Sequence, residues 1–117
     1  MRDVAGRSAV PVDVDIDLPG RPPAQVEAAA YFVVCEALAN VVRHSGAGRA
    51  AVHGRAVPGG LVLEIRDDGA GGADPAAGTG LLGITDRLAV IDGTLSLRSP
   101  AGGPTVLRVE IPCPHFA

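Results

Sequence analysis

The sequence predicts one α+β domain, a two-layer sandwich in which about three helices cover one face of a mixed, mostly antiparallel sheet. The chain has 117 residues, which suits a single domain. Hydrophobic residues make up 47% of it, a fraction typical of packed proteins. Residues 12–18 alternate apolar and acidic side chains, apolar residues recur with helical spacing over residues 24–44, and four further strands and a short helix are predicted after them. The resulting order, β-α-β-β-loop-α-β-β, favours hairpins in one layer and helices in the other.

The first half of the domain is predicted to hold a strand and a long helix. Residues 1–10 show no pattern and are expected to be a disordered lead-in, which leaves residues 11–117 as the domain. Residues 12–18 alternate apolar and acidic side chains, as a half-buried strand does. A helix is predicted from about Ala24 to His44. Its buried face is expected to contain Tyr31, Val34, Cys35, Leu38, Val41 and Val42.

The second half is predicted to hold two hairpins around a loop and a short helix. Strands over residues 49–57 and 61–67 are joined by the turn signal Pro58-Gly59-Gly60. Residues 68–80 are rich in glycine and are predicted to form a flexible loop. A helix over residues 81–91 and strands over residues 94–99 and 105–111 complete the domain.

Composition and charge exclude several classes of function. The net charge is −3 and no basic stripe occurs, which argues against nucleic-acid and anionic-membrane partners. Aromatic residues amount to 3%, so the chain offers few platforms for base stacking. Two cysteines do not suggest a disulfide framework, and no apolar run is long enough to span a membrane. We therefore expect a cytoplasmic domain that makes no membrane contact itself.

Four polar residues lie on one stripe at the end of the long helix, at spacings of three and four: Glu36, Asn40, Arg43 and His44. An asparagine oxygen is a suitable Mg²⁺ ligand, and a basic side chain one turn later can contact phosphate. A carboxylate one turn earlier can orient or deprotonate an attacking group. The alternative is the solvated stripe of an amphipathic helix.

Two glycine-rich segments could bind a nucleotide. Asp67 ends a predicted strand before Asp68-Gly69-Ala70-Gly71, where a carboxylate could accept a hydrogen bond from an adenine amine. Glycines there would let the backbone approach a flat base, although Asp-Gly is also a common turn. The residues 78–83, Gly-Thr-Gly-Leu-Leu-Gly, open the second helix, where free N–H groups and the helix dipole favour phosphate. That segment could instead be a surface linker.

Taken together, these segments resemble the motifs of the Bergerat-fold ATPases, which include gyrase, histidine kinases and mismatch-repair ATPases. Residues 31–45 are similar to the N box, Asp67-Asp-Gly-Ala-Gly to the G1 box, and residues 78–88 to the G2 box. The resemblance covers about residues 10–112. It is strongest to short-lid histidine kinases of the nitrate-sensor and desaturase-regulator type, because of Glu36 before Asn40, the short lid and a Gly-Leu-x-Gly-x-x-x-Arg pattern.

The resemblance implies a function, a fold and a set of site residues. It implies the catalytic domain of a two-component sensor histidine kinase, which binds ATP and Mg²⁺. Asn40 would bind Mg²⁺, and Glu36 would polarise or deprotonate the phosphate acceptor. Asp67 would hold the adenine amine, with Thr105 behind it. The other implied ATP-binding residues are Arg43, His44, Gly69, Gly71, Gly78, Thr79, Gly80, Leu81, Leu82 and Gly83.

Two departures from the family pattern qualify this expectation. Pro104 precedes Thr105 and lacks an N–H, so contacts there could differ. No histidine of this chain lies in an upstream helical hairpin, so we expect a monomeric domain that binds ATP without phosphorylating itself. Its expected partners are its own upstream dimerisation and phosphoacceptor domain and a response regulator, at the cytoplasmic end of a sensor. The alternatives are an anti-sigma-factor serine kinase and an interaction domain that has lost nucleotide binding.

Overall fold

The computed structural model describes residues 11–41, 48–69 and 81–117, without the side chains of Leu81 and Leu82. The expected lead-in, residues 1–10, lies outside this part of the chain. The elements follow the predicted order: β1 Val12–Asp17, α1 Ala24–Asn40, β2 Ala50–Val57, β3 Gly60–Asp67, α2 Leu81–Ala89, β4 Thr94–Arg98 and β5 Thr105–Pro112. The described residues contain two helices, where about three are expected in the whole chain.

The five strands form one sheet in the order β1-β2-β3-β5-β4. β1 runs parallel to β2, and the other three pairings are antiparallel, which confirms the mixed, mostly antiparallel sheet. β2 and β3 pair from Val57 and Gly60 onwards, leaving Pro58 and Gly59 as the turn. Gly59 has φ 71°, which matches the third position of a type II turn after proline. Gly60 therefore belongs to β3 rather than to the turn.

Both helices pack on the same face of the sheet. Alternate residues of β3 and β5 face each other in register, with Leu61 opposite Ile111 and Leu63 opposite Val109. Together with Ile84 and Leu88 of α2, they belong to one apolar core. The largest side chains with less than 2% exposure are Leu61, Leu63, Ile84, Leu88, Ile111, Val33, Val34, Val52 and Val109. The core is therefore aliphatic, as the low aromatic content requires.

The buried face of α1 differs from the predicted one. Tyr31 is 45% exposed and Cys35 is only half-buried, although both were expected inside. The buried positions are instead Val26, Ala29, Ala30, Val33, Val34, Ala37 and Leu38, with Val41 after the helix. Small apolar residues occur on nearly every side of α1, so their spacing does not select one face. The predicted end of the helix at His44, and Val42, lie outside the described residues.

The opposite face of the sheet is polar. Asp13, Asp15 and Asp17 are exposed along β1, which is an edge strand. On the inner strands, Arg108 bonds to Glu64 at 3.3 Å and to Glu110 at 3.2 Å. This face is therefore mostly polar, although Val62 of β3 is buried there, and the apolar core of the sheet lies on the helix side. Across the described ranges, no helix is long and apolar enough to cross a membrane.

Candidate nucleotide-binding site

Two of the four predicted stripe residues fall in the described part of α1. Glu36 and Asn40 are both half-buried and lie four residues apart, so they share one face near the end of the helix. This face adjoins the buried side without belonging to it, because Ala37 and Leu38 point into the core. Arg43 and His44 lie outside the described residues. The helix thus offers a carboxylate and an amide, one turn apart, at the core boundary.

Asp67 is the one buried charged residue in the described part of the chain, with 5% of its surface exposed. It is the last residue of β3, and its Oδ1 accepts a hydrogen bond of 2.8 Å from the Gly69 N–H. Burial raises the pKa of this carboxyl; the Gly69 N–H opposes the rise in pKa, and the nearby charge of Asp68 adds to it. The second oxygen, Oδ2, makes no hydrogen bond with described residues. A buried carboxylate with a spare acceptor suits a ligand that brings its own N–H donor.

Thr105 lies directly opposite Asp67 on the neighbouring strand, as the first residue of β5. Its Oγ1 is 2.6 Å from the Oγ of Ser99, so the two hydroxyls share a hydrogen bond. The turn before Thr105 uses positive φ at Gly102 and Gly103, 87° and 72°, which favours glycine at both positions. Thr105 is paired in register with Asp67 although Pro104 precedes it.

Ser99 and Asp68 are polar residues of this region that sequence reasoning did not assign. Asp68 Oδ1 accepts hydrogen bonds from the backbone N–H groups of Gly48, at 2.8 Å, and Arg49, at 3.0 Å. The Asp68 N–H also donates to the Arg49 carbonyl at 3.2 Å. Asp68 thus fastens the start of β2 to the end of β3. The two acidic residues thus differ in their contacts: Asp68 bonds to the backbone of the β2 start, whereas Asp67, within the described chain, bonds to Gly69 through one oxygen only.

The second glycine-rich segment is described only from Leu81 onwards. α2 begins at Leu81, as predicted, and Ile84 and Leu88 anchor it with 0% and 1% exposure. Gly83 is exposed, and a Cβ added there would meet no described atom within 4 Å. Packing against the described chain therefore does not require glycine at this position. Gly71, Gly78, Thr79 and Gly80, and the side chains of Leu81 and Leu82, lie outside the described residues.

The structure brings part of the predicted site together. Asp67, Gly69 and Thr105 meet at one end of the sheet, and Glu36 and Asn40 share one face of α1. These are the two kinds of group that a nucleotide needs: acceptors for a base and oxygens near a phosphate-bound metal.

Known proteins of similar sequence and fold identify the relatives of this chain. No protein family model matches it. It is 36% identical over 116 residues to the sensor histidine kinase NarS of Mycobacterium tuberculosis, covering 92% of this chain and 26% of NarS. The chain is a homologue of sensor histidine kinases and has the fold of their catalytic domain. Over the matched region, the expected resemblance to histidine kinases is confirmed.

Solved structures establish the fold independently. The histidine kinase domain of the blue-light activated histidine kinase of Erythrobacter litoralis EL346 superposes with a TM-score of 0.73 at 22% identity, covering 95% of this chain and 58% of that one. Full-length ShkA, solved in complex with AMPPNP, gives a TM-score of 0.68 at 17% identity, covering 98% of this chain and 28% of ShkA. The chain thus spans about a quarter of NarS and of ShkA. These relatives do not favour the serine-kinase alternative.

Proposed function

We propose that this domain binds Mg-ATP and donates the γ-phosphoryl group to a histidine on a separate dimerisation domain, as the catalytic part of a sensor histidine kinase. The observation that carries the proposal is Asp67, a buried carboxylate at a strand end with one oxygen bonded to Gly69 and the other available. No described side-chain oxygen or nitrogen is both buried and without a hydrogen-bond partner, so Oδ2 reaches the surface, where a ligand can donate a hydrogen bond to it. The kinship with sensor histidine kinases supports ATP as that ligand.

On the base side, Asp67 would accept a hydrogen bond from the exocyclic amine of adenine through Oδ2. Gly69 holds the other oxygen at 2.8 Å, so the carboxylate is already oriented before a ligand arrives. Thr105 stands opposite on β5 and would support Asp67 or a water beside it. Guanine carries a carbonyl where adenine carries its amine, and a carboxylate would repel that oxygen. The arrangement therefore favours adenine.

On the phosphate side, Asn40 would supply an oxygen ligand to Mg²⁺, which takes few protein ligands and keeps several waters. The metal, when bound, neutralises negative charge on the phosphates. The N-terminal end of α2 would offer backbone N–H groups from Leu81, Leu82 and Gly83 to the same phosphates. Completing the set, we propose phosphate or ribose contacts for Arg43, His44, Gly71, Gly78, Thr79 and Gly80.

The acceptor of the phosphoryl group would lie on another domain. Of the described histidines, His53 is exposed on the polar face of the sheet beside Asp15, and His115 is exposed after β5. Both are far from Glu36 in the chain, and His53 lies on the face of the sheet opposite the helices. Glu36 would face the incoming imidazole and orient it or accept its proton. The upstream phosphoacceptor domain and a response regulator are the proposed partners.

Calorimetric titration of the 117-residue chain with an ATP analogue, with and without Mg²⁺, tests the binding half of this proposal. Binding should depend on Mg²⁺ and should fail in Asn40→Asp, because the new charge replaces a neutral metal ligand beside Glu36. Gln25→Glu is the matched control, since it makes the same amide-to-carboxylate change at an exposed position of α1. Equal heats in the parent and Asn40→Asp would remove Asn40 from the site. No heat in the parent would leave the interaction-domain alternative.

Transfer of labelled phosphate tests the second half. Labelled ATP should leave this chain unlabelled and should label a histidine-bearing dimerisation domain added to it. Label on the chain alone would show that the acceptor is internal, and His44→Ala, His53→Ala and His115→Ala would then locate it.

A further inference from the structure

A contact between the two helices joins the faces that carry the proposed phosphate-side residues. The guanidinium carbon of Arg87 lies 4.4 Å from the centroid of the Phe32 ring, which is cation–π geometry. Arg87 belongs to α2 and Phe32 to α1, and neither has an assigned role in the proposed nucleotide chemistry. We call this pair the Arg87–Phe32 clasp.

On α1, Phe32 lies on the same face as Glu36 and the proposed metal ligand, Asn40. Phe32, Glu36 and Asn40 follow one another at intervals of four residues, so they lie on one face in successive turns. Each turn advances about 5.4 Å along the helix axis. Phe32, on which the guanidinium stacks, therefore lies about one turn from Glu36 and two from Asn40 along α1.

On α2, Arg87 lies on the same face as Gly83, the glycine that is proposed to approach phosphate. Gly83 and Arg87 are four residues apart, and both are exposed. The buried side of α2 carries Ile84 and Leu88, which fix its depth in the core. Among the described side chains of α2, these two make the buried contacts. A directional contact at the boundary adds a restraint on the sliding and rotation of the helix.

We infer that Arg87 is a positioning residue: by stacking on Phe32 it sets the register of α2 on α1, and so holds the N-terminal end of α2 in place relative to Asn40. This inference rests on the proposed function. A cation–π contact suits the task because it depends on where the cation lies over the ring, whereas aliphatic packing is tolerant of small shifts. The exposed position of Arg87 keeps the contact out of the core, so its loss should affect alignment more than folding.

The test compares Mg-ATP affinity with stability in four variants of the 117-residue chain. Arg87→Met keeps the length of the side chain and removes the charge, and Phe32→Leu keeps an apolar group and removes the ring. Each should weaken Mg-ATP binding about two- to fivefold. The affinity of the double variant should be no lower than that of either single variant, because both remove the same contact. Arg87→Lys should restore most of the affinity because it retains a cation. Arg98→Met, at an exposed position of β4, is the matched control and should bind as the parent does.

A spectroscopic signal separates positioning from plain packing. The chain has no tryptophan, so Phe32→Trp introduces a single indole at the clasp. Its emission should shift when Mg-ATP binds, and the shift should vanish in the F32W/R87M double variant. Parent-like affinity in both Arg87→Met and Phe32→Leu would overturn the clasp while leaving nucleotide binding intact. Losses that Arg87→Lys does not restore would also overturn it, and absence of binding in the parent would overturn the proposed function as well.

Discussion

Replacing Asp67 by asparagine should lower the affinity of the protein for ATP without lowering its stability. Asparagine has nearly the same shape, and its Oδ1 can still accept the 2.8 Å hydrogen bond from the Gly69 N–H. The negative charge, which sits at 5% exposure without a cationic partner among the described residues, disappears. Since burial outweighs the Gly69 hydrogen bond and raises the pKa of Asp67, the fold prefers the neutral group.

The loss of binding follows from the chemistry of the acceptor. A hydrogen bond to a charged group contributes about 1.5–3 kcal/mol, which corresponds to roughly 10- to 100-fold in affinity. Asparagine would also have to present its NH₂ group to the adenine amine if Oδ1 remained bonded to Gly69. Calorimetry with Mg-ATP measures this loss, and Asp17→Asn, an exposed aspartate of β1, is the control.

The stability difference should depend on pH in a defined direction. Because the folded-state pKa of Asp67 is raised, the folded state holds this proton more tightly than the unfolded state does. The contribution of the group to stability is thus full below the ordinary carboxyl pKa and is lost as pH rises through the raised value. In urea unfolding, the free energy of unfolding of Asp67→Asn should exceed that of the parent at pH 7 and should not exceed it at about pH 3. A variant that is less stable at pH 7 and binds ATP normally would refute the reasoning.

Three further comparisons test separate parts of the structure. Gly83→Ala should raise the free energy of unfolding in urea by about 0.5–1 kcal/mol, because alanine favours the helix and its Cβ meets no described atom. Calorimetry should nevertheless show weaker Mg-ATP binding. Unchanged binding would exclude a close approach of phosphate to this position. Thr105→Val should cost about 1 kcal/mol through the lost bond to Ser99, and Ser99→Ala should add little to it, whereas additive losses would show independent roles. Leu63→Ala, at 1% exposure, should lower the free energy of unfolding by about 2–5 kcal/mol, whereas Val90→Ala, at 83% exposure, should lower it by less than about 0.5 kcal/mol. Similar denaturation midpoints for the two variants would contradict the assigned core.

Local chemistry made most of the fold predictable. Pro58 and Gly59 encode a turn that sets the register of β2 against β3, and alternation of apolar side chains then fixes which face is buried. The same local signals placed Asp67 at a strand end and Leu81 at a helix start. Where the chain has one strong pattern, the elements follow it to within a residue or two.

Features that depend on neighbours in space were not predictable. The buried face of α1 was predicted wrongly at Tyr31 and Cys35, because alanine and valine surround the helix and the sheet selects the face. Asp68 and Ser99 are short polar residues in turns, and only the pairing of distant strands shows what they bind. The contact of Arg87 with Phe32 joins residues more than fifty positions apart, which no sequence period can reveal.

The aspartates of β1 have a consequence for how copies of this domain meet. β1 borders the sheet, so its outward backbone groups could in principle recruit a strand from another molecule. Asp13, Asp15 and Asp17 line that border, and juxtaposing two such strands would crowd six like charges together. This repulsion discourages self-association through the β1 edge of the sheet, so that encounters between domains are left to other surfaces, among them the opposite edge at β4.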